Sequence, residues 1–306
     1  MPRGLHLAQG RNPLGPDSGN DDEVISSRWG SPPSSRGGSH AQIYATPNQD
    51  ASSTTAAHST PGVPLIVAAP KIHDSDDDRM LAPEKRRGTG RVFPTKFAPP
   101  SSTITPTELF LVRANHAHFA RYVHRHDPRK VLIFTDGSCL NNGQPNPKAG
   151  WAVVYGPSKC FTNLLVPIAS GRLENKGPFG DLSIQSSNRA ELRAVIAALR
   201  LQHWTSEGFN TIVIATDSDY VATGATEWTK TWINNGWRTA SNRDVKNKDL
   251  WEMLLGEVER WQDEGLSIQF WNIPRDWNEV ADAAAKKAAE KYDARDTWID
   301  VSRICL

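Results

Sequence analysis

The stretch VLIFTDGSC, residues 131–139, is the part of the chain that decides the fold. Four apolar side chains precede Thr135 and Asp136, and a short apolar run of this kind is typical of a buried strand. A second such run, TIVIATD, covers residues 211–217 and ends on Asp217. Two buried strands that each end on a carboxylate predict that polar groups gather at one edge of a sheet.

Strand and helix patterns alternate around these two runs. Strands are predicted at 131–136, 150–156, 161–172, 211–217 and 266–273, and helices at 188–204, 249–265 and 278–292. The stretch 218–237 is expected to form a helix, a turn and a second helix. The order β-β-β-α-β-α-β-α predicts an α/β fold, with a five-stranded mixed sheet of three antiparallel and two parallel strands flanked by helices.

Four acidic residues fall at the ends of these elements: Asp136, Glu191, Asp217 and Asp282. Asp136 and Asp217 end strands, whereas Glu191 and Asp282 begin alanine-rich helical stretches. If the two strands are parallel neighbours, Asp136 and Asp217 lie side by side at their carboxyl ends. Hard divalent cations prefer oxygen ligands, so four converging carboxylates predict a metal site. Such acids repel one another and should take up protons or metal readily.

Bulk composition narrows the class of protein. The net charge of the 306-residue chain is +1, which gives no sign of a strongly basic nucleic-acid binder. The three cysteines show no CxxC spacing, which argues against a disulfide framework or a zinc knuckle and favours a reducing, intracellular compartment. No apolar stretch approaches the roughly 20 residues that span a bilayer. We expect a protein without membrane attachment in the nucleus or cytoplasm, with the mitochondrion as a weaker alternative suggested by Arg3 and Arg11.

Composition also divides the chain into segments. Residues 1–104 are rich in Ser, Pro, Gly and Thr and poor in aromatics, so we expect a disordered tail, whose partners the sequence does not indicate. Residues 105–129 are expected to pack as an extra helix or as an irregular lead-in. The folded domain is expected to occupy residues 130–306.

Several motifs then point to one family. TDGSC, NRAEL, TDSDYV, VKNKDLW and NEVADAAA occur in an order and at spacings that resemble the catalytic domain of type 1 ribonuclease H. The resemblance covers about Lys130 to Tyr292 and implies a ribonuclease H-like fold. It implies a monomeric endonuclease that hydrolyses the RNA strand of RNA/DNA hybrids and leaves 3′-hydroxyl and 5′-phosphate ends.

The resemblance also assigns roles to the four acids as ligands of two Mg²⁺ ions, with Mn²⁺ as an alternative. Two ions can activate water, stabilise the phosphate and neutralise the leaving oxygen. Asp136 would be shared by both ions, and Asp217 and Asp282 would hold the ion that activates water. Glu191 would hold the ion facing the leaving group and could contact the RNA 2′-hydroxyl.

Substrate contacts follow from the same resemblance, because a hybrid shows 2′-hydroxyls in a wide, shallow minor groove on one strand only. The residues implied are Asn142, Ser186, Ser187, Asn188, Trp232, Trp237 and Lys246. The polar residues would reach the groove, the tryptophans would grip the DNA strand, and Lys246, with Lys248, would neighbour a phosphate. For Trp228, contact with the substrate and packing in the core are equally compatible with the sequence.

Three departures distinguish this chain from the family pattern. The link IPRDWNEVAD, residues 273–282, lacks the His-bearing loop that assists turnover, and Arg275 or Asp276 could take its place. The stretch TKTWINNGWR is lightly charged, and Ile184 stands where animal-type enzymes hold a phosphate-binding Arg. Two alternatives stay open: a catalytically degenerate domain that binds hybrids or scaffolds partners, and a retroelement-derived ribonuclease H.

Overall fold

The computed structural model of the chain describes residues 83–114, 120–157, 167–291 and 294–301. The expected disorder of residues 1–82 lies outside this part of the chain. So do Cys160 and Cys305, while Cys139 is described and partly exposed. In the described part, no helix has the length and apolar character that crossing a membrane requires.

One mixed sheet organises the domain. Its strands are β1 (Thr95–Lys96), β2 (Phe110–Ala114), β3 (Ala120–His124), β4 (Lys130–Leu140), β5 (Lys148–Val154), β6 (Ile168–Arg172), β7 (Thr211–Thr216) and β8 (Ser267–Asn272). The order across the sheet is β1-β8-β7-β4-β3-β2, and β5 and β6 extend it from β4. The described residues therefore form eight strands, three more than the sequence patterns predict.

Strand β4 lies at the centre and runs longer than expected. On one side it pairs in parallel with β7, from Lys130↔Thr211 to Phe134↔Ala215. On the other side its first half pairs with β3 and its second half with β5, both antiparallel. Because β5 continues to pair as far as Leu140, the strand does not end at Asp136, which lies opposite Ala152.

The lead-in at 105–129 is mostly strand, not an extra helix. After the four-residue helix α1 (Pro106–Leu109), β2 and β3 form an antiparallel hairpin that pairs with β4. Leu109 and Phe110 are buried in a cluster with Trp271. The expectation of a helix was wrong because these apolar side chains are drawn to the sheet edge by residues far away in the chain.

The helices cover the sheet. They are α2 (Ser187–Arg200), α3 (Asp219–Thr223), α4 (Thr229–Asn234), α5 (Lys248–Asp263) and α6 (Glu279–Ala289). The largest buried cluster includes the inner faces of α2 and α5 and the fully buried rings of Trp204, Trp251 and Trp261. Helix α6 packs on β4, β5 and β6.

The predicted turn between 218 and 237 is absent. A π-helical segment, Gly224–Trp228, joins α3 directly to α4. Gly224 lies against Trp251, and a Cβ at this position would stand 2.4 Å from the ring. The hydroxyls of Thr226 and Thr229 donate to main-chain carbonyls one turn back. The π-helical segment is thus stabilised by the close packing of Gly224 on Trp251 and by the hydrogen bonds of the two threonine hydroxyls.

Residues 83–97, which we call the strap, belong to the domain and not to a disordered tail. Glu259 on α5 accepts hydrogen bonds through Oε1 from the backbone N–H groups of Thr89 (2.8 Å), Gly90 (2.8 Å) and Arg91 (3.1 Å). The strap ends in β1, which pairs in parallel with β8. The expected boundary at residue 104 was wrong for this segment, because a single buried carboxylate and a strand edge order a chain that is poor in apolar residues.

Candidate active site

Asp136 occupies the middle of β4, at the point where β7 no longer pairs with it. The residue is 4% exposed, and its Oδ2 atom is buried without a hydrogen-bond partner. A buried, unpartnered carboxylate oxygen is costly, so its retention at the centre of the sheet indicates a ligand-binding role.

Glu191 lies in the first turns of α2, next to β4. A Cβ at Gly137 would stand 2.1 Å from the backbone nitrogen of Glu191, so only glycine lets the helix approach the strand this closely. Although Glu191 as a residue is partly exposed, its Oε2 atom is buried and has no hydrogen-bond partner. The glycine of TDGS therefore serves to bring Glu191 to Asp136.

Asp217 follows β7 directly and is held by Asn278. The Asn278 side-chain amide is almost fully buried and donates to Asp217 Oδ1 (2.7 Å) and to the carbonyl of Thr135 (3.1 Å). These two bonds connect the chain before α6 to both parallel strands. They fix the orientation of the Asp217 carboxylate.

Asp282, in the first turn of α6, is paired with two cations. Arg275 Nη2 lies 2.8 Å from Asp282 Oδ1, and Lys286 Nζ lies 2.7 Å from Oδ2. Arg275 Nη1 also lies 4.0 Å from Asp217 Oδ2. The Arg275 side chain is 69% exposed, so it can leave this position without disturbing the core.

The four acids form one electrostatically coupled group. Burial, and then the charges of Asp217 and Asp282, raise the pKa of Asp136 from 3.8 to about 8. Burial and the neighbouring Asp136 likewise raise the pKa of Glu191 well above its ordinary range, against a hydrogen bond from Ser218 that lowers it. Both carboxyls therefore favour their protonated forms more than ordinary acids do, unless a cation compensates their charge.

The carboxylate oxygens of the four acids are ligands of the type that hard divalent cations prefer, but as they stand they do not enclose an ion. Among the described residues, no three carboxylate, imidazole or thiol side chains are gathered tightly enough to enclose a metal as they stand. Arg275 and Lys286 engage Asp282, and Asn278 engages one oxygen of Asp217. The buried oxygens of Asp136 and Glu191 have no such partner and match the ligands that Mg²⁺ and Mn²⁺ prefer.

The predicted groove-contacting residues lie together at the start of α2. The backbone N–H of Ser187 donates to Asn142 Oδ1 (3.3 Å), which ties the turn after β4 to this helix. Ser186 is the N-cap, and its hydroxyl accepts from Arg189 N–H, with the residue only 7% exposed. Ser186 therefore serves mainly to cap the helix. Ser187, Asn188 and Asn142 are partly exposed.

The two predicted substrate tryptophans differ. Trp232 is 2% exposed and packs its ring 5.8 Å from Trp228 and 5.6 Å from Trp251, so the prediction that it touches substrate was wrong. Trp232 lies on the side of α4 that packs against α5, through its contact with Trp251. Trp237 is half-buried, at a backbone φ of 63°, and remains accessible.

Lys246 and Lys248 are both exposed, near Trp237. Lys248 Nζ lies 5.8 Å from the centre of the Trp237 ring and 3.7 Å from Glu252. Arg189 anchors this region to α2 by a bidentate pair with Asp249, at 2.8 and 2.5 Å. The NRAEL and VKNKDLW motifs are thus joined by a half-buried ion pair.

Two functional neighbours were missed by the motif analysis. Asn278 was not assigned a role, although its place before the alanine-rich helix marks it as a capping position. Arg275 was considered only as a substitute for the absent His loop, since nothing local indicates that it lies against two acids.

Comparison with known proteins agrees with this geometry. The sequence model of RNase H matches residues 128–290. Ribonuclease H of Treponema pallidum is 36% identical over 168 residues, which is 53% of this chain and 91% of that protein. Ribonuclease H1 of Homo sapiens is 31% identical over 168 residues, which is 53% of this chain and 51% of that protein. The crystal structure of LC9-RNase H1, a type 1 RNase H with the type 2 active-site motif, is 25% identical, with a TM-score of 0.38 over 56% of this chain and 77% of that one.

The family match spans more than half of the chain, and the chain therefore belongs to the RNase H family. Its domain is a type 1 ribonuclease H, and the fold predicted from the motifs is confirmed.

Proposed function

We propose that this domain cuts the RNA strand of RNA/DNA hybrids by hydrolysis, with divalent cations held by Asp136, Glu191, Asp217 and Asp282. The observation that carries the proposal is the pair of buried, unpartnered oxygens on Asp136 and Glu191 beside two further carboxylates. A purely structural cluster would have its buried oxygens hydrogen-bonded.

Bound Mg²⁺ ions would supply an activated water and neutralise the charge that develops on the phosphate and the leaving oxygen. The residues of the chain hold the ligands in place for this chemistry. Asn278 fixes Asp217, Gly137 allows Glu191 to reach β4, and burial excludes competing water from Asp136. The raised pKa values of Asp136 and Glu191 mean that metal binding displaces protons.

Arg275 acts as an internal counter-ion for Asp282 and Asp217. Its charge compensates the repulsion among the acids before an ion binds. Because the side chain is exposed, it can swing away and donate to a phosphate of the substrate when an ion takes its place.

Recognition of the hybrid is assigned to two surfaces. Asn142, Ser187 and Asn188 present short polar groups suited to a shallow groove that shows 2′-hydroxyls. Trp237, Lys246 and Lys248 combine an aromatic ring with exposed cations, which suits a nucleic-acid strand. The lysines would contribute affinity that falls as salt rises.

The test uses the full chain with labelled RNA/DNA hybrid, duplex RNA and duplex DNA in Mg²⁺, Mn²⁺ and EDTA. We expect cleavage of the RNA strand of the hybrid only, dependent on metal and lost in Asp217→Asn, with hybrid binding retained. Asp219→Asn is the matched control, since Asp219 is an exposed carboxylate that accepts a hydrogen bond from Asn272.

Two outcomes would contradict the proposal. Cleavage that survives Asp217→Asn would remove the metal assignment. Salt-sensitive binding of the hybrid without cleavage by the unmodified chain would instead identify a degenerate binding domain.

A further inference from the structure

A cleft of about 660 Å³ lies between the edge strand β6 and the C-terminal segment 294–301. Ser170 lies on the wall of the cleft. It pairs with Ala152 on β5, which in turn pairs with Asp136 on β4, so Ser170 and Asp136 are two strand spacings apart. This separation is about 10 Å by the usual spacing of strands. The cleft does not include any of the four acids or the groove-contacting residues.

One ion pair forms the inner wall of the cleft. Arg193 and Glu174 are both almost fully buried, and Arg193 Nη2 lies 2.8 Å from Glu174 Oε1. The Arg193 guanidinium lies between the rings of Trp151 (4.6 Å) and Trp298 (4.0 Å). The two charges cancel, so Glu174 does not neutralise the other cations of the cleft.

Three further cations line the cleft: Arg172, Lys291 and Arg295. Arg172 Nε and Nη1 donate to neutral acceptors, the carbonyls of Lys291 (3.2 Å) and Ala149 and the side chain of Gln185, and Nη2 has no acceptor among the described residues. Within the same part of the chain, Lys291 and Arg295 make no ion pair, and both are exposed. The local charge is therefore close to +3.

The nearby carboxylates of the C-terminal segment have partners elsewhere. Asp296 accepts a hydrogen bond from the Asn175 amide (3.0 Å), and Asp300 lies 3.1 Å from Arg200. Neither is part of the cleft wall. Glu174 is therefore the one carboxylate among the described lining residues, and it is paired with Arg193.

A buried donor in the wall also lacks a partner. Trp151 is 6% exposed, and its indole Nε1 has no hydrogen-bond partner. This nitrogen lies 3.2 Å from the point where a Cβ would stand on Gly171, another residue of the wall. The indole nitrogen is itself buried, and the backbone of Gly171 lies directly against it.

We propose that this cleft binds a phosphate group. A phosphate offers several acceptor oxygens to donors that converge from different directions, and its charge matches unpaired guanidinium and ammonium groups. Arg172 Nη2 would donate from the wall, and Lys291 and Arg295 from the rim. The buried indole of Trp151 lies behind this wall, beside the bound group. The phosphate could belong to a nucleic-acid strand or to a free phosphate or nucleotide, which share this chemistry.

The indole N–H of Trp151 provides a direct reporter. Its resonance in the ¹H–¹⁵N spectrum of the full chain, assigned with Trp151→Phe, is followed during titration with inorganic phosphate in EDTA at constant ionic strength. We expect a saturable shift, with affinity at least about tenfold weaker in Lys291→Gln combined with Arg295→Gln. These side chains are exposed, so the double variant should fold. Lys287→Gln, which removes one exposed charge outside the cleft, serves as the control for each of the two single substitutions.

Parallel titrations with a nucleoside monophosphate and with a single-stranded oligonucleotide, the latter on Asp217→Asn, separate the two sources. Tighter binding of the oligonucleotide would assign the cleft to a nucleic-acid strand, and tighter binding of the monophosphate to a free nucleotide. The proposal is overturned if no titrant shifts the resonance, or if the double variant binds as tightly as the parent. Neither result depends on whether the domain cleaves hybrids.

Discussion

At the scale of single residues, the fold brings four carboxyl groups close together, and the repulsion between their charges sets the properties of the site. Burial raises the pKa of Asp136 and of Glu191, as do the charges of Asp217 and Asp282 at Asp136 and the charge of Asp136 at Glu191. Asp282 is compensated instead by Arg275 and Lys286. Without metal, the repulsion among the carboxylates is therefore reduced in two ways: Asp136 and Glu191 favour the protonated form, and Arg275 and Lys286 pair with Asp282.

The raised pKa of Asp136 makes the stability of the metal-free chain depend on pH. The native state keeps this proton up to about pH 8, whereas the unfolded chain releases it near 3.8. The stabilisation is complete below pH 4 and is lost as pH rises toward 8, at up to about 1.4 kcal/mol per pH unit. We expect denaturant unfolding in EDTA at pH 5, 7 and 9 to show this fall, and Asp136→Asn to reduce its slope.

Asp219→Asn is the control for that measurement and should leave the slope unchanged. Saturating Mg²⁺ should stabilise the unmodified chain most at high pH, where ions no longer compete with protons. An equal slope in Asp136→Asn and the parent chain would show that the carboxyl does not titrate in this range.

Removal of the Arg275 charge should strengthen metal binding in the absence of substrate. Arg275 competes with a cation for Asp282 and Asp217, but it is exposed, so the effect is modest. For Arg275→Gln we expect about two- to fivefold tighter binding of Mn²⁺ or Mg²⁺ by calorimetry. Lys287→Gln removes an exposed charge from α6 outside this cluster and should change little; weaker metal binding by Arg275→Gln would refute the counter-ion role.

At the scale of elements, the strap depends on one carboxylate of α5. Glu259 is 4% exposed, and its Oε1 accepts from three backbone N–H groups and from the Thr89 hydroxyl (2.9 Å). Charge-assisted bonds to a buried acceptor are among the stronger ones. Residues of the strap also contact α4, since Lys230 Nζ lies 5.5 Å from the Phe93 ring.

We expect Glu259→Gln to lower the free energy of unfolding by about 1–3 kcal/mol. Trypsin should also cut faster after Arg86, Arg87 and Arg91, because the strap is released more often. Glu264→Gln, at the exposed end of the same helix, is the control and should change stability by less than about 0.5 kcal/mol. Unchanged proteolysis in Glu259→Gln would mean that the strap is held by other contacts.

At the scale of the whole molecule, the described part of the domain includes the residues between Pro83 and Thr105. The Phe97 ring lies 5.0 Å from Trp271 and 5.8 Å from Phe110, so the segment before Thr105 completes an apolar cluster on the sheet. β1 also covers the edge of β8. A chain that begins at Thr105 would lose both of these contacts together with the strap.

We predict that a chain of residues 83–306 unfolds at the same denaturant concentration as the full chain and cleaves the hybrid at the same rate. A chain of residues 105–306 should be less stable by several kcal/mol, from the loss of one buried aromatic and of the bonds to Glu259. Unfolding curves of the three chains measure this difference. Equal stability of the two truncated chains would show that the strap and β1 contribute nothing.

Local patterns in the sequence were sufficient for much of the domain. The strands around Asp136 and Asp217 and the helix that carries Glu191 were predictable because apolar spacing and helix propensity act over a few residues. The grouping of the four acids was predicted from their expected places at element ends, although β4 continues past Asp136 to Leu140. The motifs were specific enough to indicate the family, which the comparison then confirmed.

Other features were decided only by the tertiary structure. Trp232 and Trp237 belong to the same stretch of sequence, yet Trp232 packs in the core against Trp228 and Trp251, whereas Trp237 stays partly exposed. Likewise, the strap depends on Glu259 and the basic cleft on residues from β6 and the C-terminal segment. The bonds of the strap to Glu259, for example, join residues 168 to 170 positions apart. The free energy of such contacts is set by burial and desolvation, which local sequence does not encode.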